Sequence, residues 1–302
     1  MNKLMRKIIK YGAYRGMFDR MADETYLKLL YEARIGKPLN LEHPVTFNEK
    51  LQWLKLNYRK VEYSVLVDKY AAKKQVADMI GEQYIIPTLG VWEHFEDIDF
   101  NTLPNQFVLK CTHDCGGLVI CRDKSRLNLE EAREKINKSL KNNYYYSGRE
   151  WPYKNVKPRI IAERYMYEGE DASSDKALLD YKFFCFNGRV DSVMVCTERE
   201  TGHPKFYFFD EKWNLKRYNK RGKEAPKDFT LPKPEGMDQM FELAARLSQG
   251  IPYVRVDLYN INGAIYFGEM TFYPESGFDE NILPESDEYW GDMIELPVKI
   301  ER

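Results

Sequence analysis

The spacing of apolar residues divides the chain into a helical first part and a strand-rich remainder. In "DETYLKLLYEARIG", Leu27, Leu30 and Tyr31 recur at helical spacing, with Asp23 placed as an N-cap and Gly36 as the stop before Pro38. "TFNEKLQWLKLNY" predicts a second helix, and Thr46 with Glu49 three residues later has the form of a capping box. "SVLVDKYAAKKQVADMIG" reads as one further amphipathic helix ending at Gly81, and "YIIPTLGVW" as a short strand. From about residue 105 the period shortens. "QFVLKCT", "GLVICRD", "RIIAERYM", "DYKFFCFNG" and "RVDSVMVCTE" predict strands, interrupted by a helix in "NLEEAREKINKSLKNN". Strands and helices mix without strict alternation, which predicts an α+β fold with largely antiparallel sheets. "NNYYYSGREWPYKNVKP" is a long aromatic and basic loop of the functional or lid-like kind, and a helix in "MDQMFELAARLSQG" leads into two strands around Asn262 and Gly263.

Composition narrows the function. With 302 residues, 43% of them hydrophobic, the chain can bury a large core. Its 46 basic and 47 acidic residues give a formal charge of -1, so no global field favours nucleic acid. Five cysteines, an odd number on or beside apolar runs with no signal-peptide pattern, read as reduced and structural, which predicts a cytoplasmic protein. No apolar run reaches the roughly 18 residues that a membrane span needs. The opening segment "MNKLMRKIIKYGAYRGMF" is basic and amphipathic. It is either a peripheral contact of residues 1–18 with the inner face of a membrane or a helix packed on the body with its basic face in water.

Several charged residues stand where strands end. Lys110 closes "FVLK" just before "THDCGG", where Gly116 and Gly117 let backbone amides approach anionic oxygens. A plain hairpin turn explains the same glycines. Lys69 and Lys73 share a helix face, read as a phosphate wall or, for Lys73, a solvated stripe. Glu163 follows a branched strand, and Asp180 and Lys182 share a strand face, suited either to phosphate or to a cross-strand ion pair. In "YVRVDLYNINGAIYFGEMTFYPESG", Arg255 and Asp257 share one face, as do Glu269 and Thr271. A two-residue Asn262-Gly263 turn pairs Asp257 with Gly268 and separates the acids, whereas a three-residue loop brings Asp257 opposite Glu269. Like charges placed opposite make sense with a cation between them, and Mg²⁺ binds through one or two carboxylates plus phosphates.

Taken in order, these residues resemble the ATP-grasp superfamily, and more closely its TupA-like branch from surface-polysaccharide gene clusters. "RVDLYNINGAIYFGEMTFYPESG" is similar to that family's Arg-x-Asp, turn, Glu-x-Asn signature, and "HPVTFNEKLQWLKL" and "GREWPYKNVKPRIIAE" to segments of the branch. The resemblance implies ATP and Mg²⁺ as cofactors. It implies Asp257, Glu269 and Thr271 as metal ligands, Thr271 standing where asparagine is usual, so that one or two ions remain open. It implies Arg255 and Lys182 as catalytic phosphate or intermediate contacts, and Lys69, Lys110, His113, Gly116, Gly117, Glu163, Arg164 and Tyr165 around the nucleotide. The implied layout is a helical region over 1–62, a linking segment over 63–105, a small lid subdomain over 106–162 and a C-terminal subdomain with the metal site over 163–302. The implied reaction is a carboxylate-amine ligation through an acyl phosphate on an acidic sugar or amino acid. Phosphoryl transfer is the alternative, as is a protein that accompanies a glycosyltransferase of a capsule cluster.

Overall fold

The computed structural model describes residues 1–167, 179–198 and 201–298. Helices α1 (Lys3–Tyr14), α2 (Asp23–Ile35), α3 (Phe47–Asn57), α4 (Val61–Val67) and α5 (Ala71–Ile80) come first. The capping box of α3 forms in both directions. Asp23, by contrast, is the first residue of α2 and not its cap. Its carboxylate is engaged elsewhere, accepting from Arg59 at 2.8 Å and from the Tyr145 hydroxyl at 2.6 Å. The single helix expected over "SVLVDKYAAKKQVADMIG" is two. Asp68 leaves helical conformation at ψ 112°, and its side chain accepts from the amides of Tyr70 and Ala71, capping α5 instead. Arg159 holds the other carboxylate oxygen at 2.6 Å.

A four-stranded antiparallel sheet follows, built from β1 (Thr88–Trp92), β2 (Phe107–Cys111), β3 (Leu118–Cys121) and β4 (Ile160–Arg164) in the order β1-β4-β2-β3. Phe107, Leu109 and Cys111 alternate inward along β2 and meet Ala132 and Ile136 of α6 (Leu129–Leu140). The short α7 (Tyr145–Gly148) lies between α6 and β4.

The second sheet has six strands, β5 (Asp180–Phe186), β6 (Arg189–Thr197), β7 (Lys205–Phe209), β8 (Leu215–Lys216), β9 (Val254–Ile261) and β10 (Ala264–Thr271), in the order β10-β9-β5-β6-β7-β8. Between β8 and β9 come α8 (Lys220–Glu224) and α9 (Met237–Leu247), and α10 (Pro284–Met293) closes the fold. Successive residues of β5 point to opposite faces: Phe183 meets Phe241 of α9, and Phe184 stacks on Trp290 of α10. Helix α10, which periodicity did not signal, supplies the fully buried Trp290 against Phe47 of α3.

The long loop between α6 and β4 is packed. Lys55 of α3 is fully buried and donates to the carbonyls of Gly148 at 2.6 Å and Ser276 at 2.7 Å. Burial pushes this lysine down to about 7, with the Glu150 carboxylate pulling the other way. Arg149, in left-handed conformation at φ 55°, donates to the carbonyl of Phe18 at 2.8 Å and lies over the Tyr26 ring at 4.2 Å. The N-terminal helices, this loop and the turn after β10 are thus one stapled unit.

Candidate functional site

The two sheets face each other across a cleft lined from both sides. On the side of the four-stranded sheet, Glu163 accepts from Lys73 at 2.5 Å and from Lys110 at 2.6 Å. Lys110 reaches it because Val108 of β2 pairs with Glu163 of β4, which puts Lys110 on the same face one pleat away. Burial would raise the Glu163 carboxyl, but Lys110 and then Lys73 outweigh it and hold it below the usual range. Lys73, also bonded to the carbonyl of Ile86, is itself lowered by burial, while Glu163 overcomes burial at Lys110 and raises it.

Lys69, which lies in the turn between α4 and α5 and not on one helix with Lys73, donates to the carbonyl of Asp114 at 2.5 Å and ties that turn to the one between β2 and β3. That turn is held from inside. Asp114 accepts from the amide of Gly117 at 3.2 Å and from the Ser139 hydroxyl. A side chain at Gly117 would put its Cβ 2.4 Å from Cys111 Sγ, so this position admits only glycine, while Gly116 is exposed. His113 turns away from the cleft: it is buried with Nε2 against the carbonyls of Ser139 and Asn142 at 3.2 and 3.1 Å. Arg164 and Tyr165 also line a different surface, beside Leu103 and Asn105, and Tyr165 accepts from Arg122. Of the three residues expected at the hinge, Glu163 alone faces the cleft.

The six-stranded sheet supplies the opposite wall. Asp257, 3% exposed, receives Arg255 on both oxygens at 2.7 Å and Lys182 at 2.5 Å from the directly paired position of β5. Burial disfavours its charge, but Arg255 and then Lys182 outweigh that and hold the carboxyl below its usual range. Lys182 also pairs with Asp180. Arg255 extends to Thr271 Oγ1 at 3.1 Å and Glu269 at 3.5 Å, so one guanidinium joins all three residues expected to ligate metal.

The hairpin register departs from both sequence alternatives. The loop is the two-residue one, with Asn262 and Gly263 at φ 54° and 83°, and pairing runs regularly to Phe267 opposite Leu258. A bulge at Gly268 then shifts the register, so that Glu269 stands opposite Asp257 and Thr271 opposite Arg255. The odd-length loop is therefore not what brings the acids together; the extra residue sits inside β10. Its identity matters, because a Cβ at Gly268 would lie 2.9 Å from the Asp257 carbonyl and 3.1 Å from the Tyr259 ring.

Two carboxylates and a hydroxyl on one face form a hard oxygen set of the kind Mg²⁺ takes when phosphates complete its shell. The residues present fit that ion. Among the described residues no group of three or more His, Cys, Asp or Glu side chains could hold a metal unaided, so the remaining ligands would have to come from a substrate. Ile85, Ile86, Leu118 and Phe267 give the cleft apolar walls. Its volume is about 160 Å³. Ligand pockets usually hold roughly 300 Å³ or more, so the cleft is narrower than a typical ligand site. Sequence reasoning left Lys73 between a phosphate wall and a solvated stripe and did not foresee the bulge at Gly268. Lys73 had a signal, standing four residues after Lys69; Gly268 had none in local periodicity.

Beyond Lys182 and Arg255 a larger cavity of about 630 Å³ continues along the six-stranded sheet, with Lys205, Lys220 and Arg221 on its rim and Asp279 inside. Burial pushes the Asp279 carboxyl up to about 6 from 3.8. Because its folded value is raised, the native state binds the proton more tightly, and its contribution to stability falls as pH rises from about 4 to 6 and then levels off. Asp279→Asn should therefore match the wild type in thermal midpoint below pH 4 and exceed it above pH 6. Parallel melting curves across that range check this.

A sequence profile described as TupA-like ATP-grasp matches residues 49–295. Among solved structures the chain is similar to D-alanine–D-alanine ligase from Bacillus anthracis complexed with ATP, at 16% identity over 84% of this chain and 69% of that one, with a TM-score of 0.46. It is also similar to the D-cycloserine synthetase DcsG, at 13% identity over 76% of this chain and 70% of that one, with a TM-score of 0.40. A third similarity is to the ATP-grasp ligase PsnB complexed with minimal precursor, Mg and ADP, at 10% identity over 74% of this chain but only 57% of PsnB, with a TM-score of 0.38. Among curated proteins no sequence matches.

Proposed function

The chain belongs to the TupA-like ATP-grasp family, and from that premise we propose that it is an ATP- and Mg²⁺-dependent ligase joining a carboxylate to an amine. The observation that carries the proposal is the pair of opposed charged walls, Lys69 and Lys73 around the start of α5 with Lys110 of β2 on one side, and Asp257 and Glu269 of the six-stranded sheet on the other, with Arg255 and Lys182 bonded to Asp257 behind them. The lysines would neutralise the phosphates, with the exposed turn residue Gly116 lending its backbone amide, while the Gly117 amide stays on Asp114. Asp257 and Glu269, with Thr271, would hold Mg²⁺, which when bound screens phosphate charge.

In this reading the acceptor carboxylate attacks the terminal phosphorus, giving an acyl phosphate and ADP. An amine then attacks the acyl carbon, and phosphate leaves as the amide forms. Arg255, between the two cavities, is placed to stabilise the oxyanion of that second step, with Lys182 beside it. The larger cavity, with its basic rim, suits an anionic acceptor such as an acidic sugar or an amino acid destined for one. The biological setting we assign is bacterial surface-polysaccharide synthesis, in the cytoplasm.

The test is incubation of the protein with ATP, MgCl₂ and paired uronic acids, amino acids and amines. ADP, phosphate and a new amide in equal amounts support ligation. A phosphorylated acceptor that accumulates without amide supports phosphoryl transfer instead. Lys110→Met should raise the KM for ATP by about 10- to 100-fold, the worth of a charge-assisted hydrogen bond, and steady-state ADP release at varied ATP measures it.

A further inference from the structure

Helix α1 presents an apolar stripe that none of the described residues covers. Only Ile9 and Gly12 of its residues are buried, against α2 and the Phe18 ring. Leu4, Ile8 and Tyr11, spaced i, i+4, i+7 on the opposite face, are 68%, 55% and 62% exposed, and Tyr14 and Met17 continue the patch. The helix is held in this orientation. The Arg6 guanidinium donates to the last carbonyls of α2, Ala33 at 2.7 Å and Arg34 at 2.6 Å, and Lys10 pairs with Glu280 at 2.6 Å. The exposed stripe is therefore set outward by contacts on the other face.

Charge selects the occupant. Residues 1–18 contain Lys3, Arg6, Lys7, Lys10 and Arg15 and no acidic residue, within a chain whose formal net charge is -1. Lys3 and Lys7 flank the stripe on one edge and are exposed, with no ion pair among the described residues. A second copy stacked face to face would bring two such basic sets together, while Glu32 and Glu280 beside the helix are already paired with the Met1 amino group and Lys10. An anionic bilayer satisfies both features, because the stripe sinks into the acyl boundary while lysine stems cover apolar surface and their ammonium groups stay with headgroup phosphates.

We propose that α1 docks this protein onto an anionic membrane surface, through Leu4, Ile8 and Tyr11 inserted and Lys3, Lys7 and Arg15 at the headgroups. The sequence alone left open whether the helix packs its apolar face inward; the structure turns that face to solvent. Among the described residues no helix is long and apolar enough to cross a membrane, so the contact is peripheral.

Co-sedimentation of the full chain with vesicles tests this. Binding is expected to vesicles of phosphatidylcholine mixed with phosphatidylglycerol, not to phosphatidylcholine alone, and it should weaken as salt rises. Each basic side chain at such a surface is worth about fivefold, so Lys3→Gln/Lys7→Gln should weaken binding by roughly 25-fold. Leu4→Asp/Ile8→Asp should abolish binding. Both variants should keep the wild-type melting temperature and ATP turnover, since these side chains are exposed and far from the cleft residues. Equal binding to both vesicle types, or no binding at all, overturns the proposal. So does a light-scattering mass that shows a dimer lost in Leu4→Asp/Ile8→Asp, since the stripe would then be a self-association face.

Discussion

Asp257→Asn is expected to lower ATP turnover by on the order of 1,000-fold or more, as losing a group aimed at transferring charge does. The same substitution should lower the free energy of unfolding by about 3 kcal/mol, because it strips the carboxylate from two nearly buried cations, Arg255 and Lys182. Both effects have one cause. In the folded chain Asp257 neutralises two cations, and in turnover it would share that charge with Mg²⁺ beside the phosphates. Denaturant titration and an ADP-release assay on one preparation separate the two readouts. Turnover near the wild-type rate would remove Asp257 from the site, even if stability fell as expected.

Gly268→Val should cost on the order of 100-fold in turnover, the effect of misplacing a reacting group by about 1 Å. A Cβ there would sit 2.9 Å from the Asp257 carbonyl, which is backbone and has nowhere to retreat within a paired strand. The strand must either push β10 away from β9 or release the bulge. Releasing it would slide Glu269 opposite Val256 and turn its carboxylate to the other face of the sheet. Overpacking of this kind also costs about 1–3 kcal/mol of stability. If Gly268→Val turned over ATP as the wild type does, the bulge would have no part in the site. Gly263→Ala, strained at a positive φ in the turn, is the companion variant: it disturbs the hairpin end without touching the register at the acids.

Much of the fold was legible along the chain. Apolar periodicity placed α2, α3, α6, α9, the four-stranded sheet and the strands β5, β6, β9 and β10 of the six-stranded one, though not β7 and β8, because 3.6- and 2-residue periods are imposed by backbone geometry within each segment. It joined α4 to α5, since the break at Asp68 depends on a side chain bonding two amides and a distant Arg159. It also missed α10, where polar residues surround the single Trp290 that fills the core.

The order of Lys69, Lys110, Glu163, Lys182, Arg255, Asp257 and Glu269 along strand and helix ends was enough to gather the charged residues and to suggest the family. Their facing was not. Which residues meet across a hairpin depends on every residue counted into its ladder, and one unpaired glycine inside β10 reversed the outcome that the turn length predicts. Tertiary contact likewise drew Lys73 onto Glu163, turned His113 inward to two carbonyls and left the apolar stripe of α1 in water. The sequence by itself determined which segments are helix or strand and which charges stand at their ends, because those follow from neighbours a few residues away. Register and the choice of partner were decided only in the folded molecule, where strands distant in sequence compete for the same face.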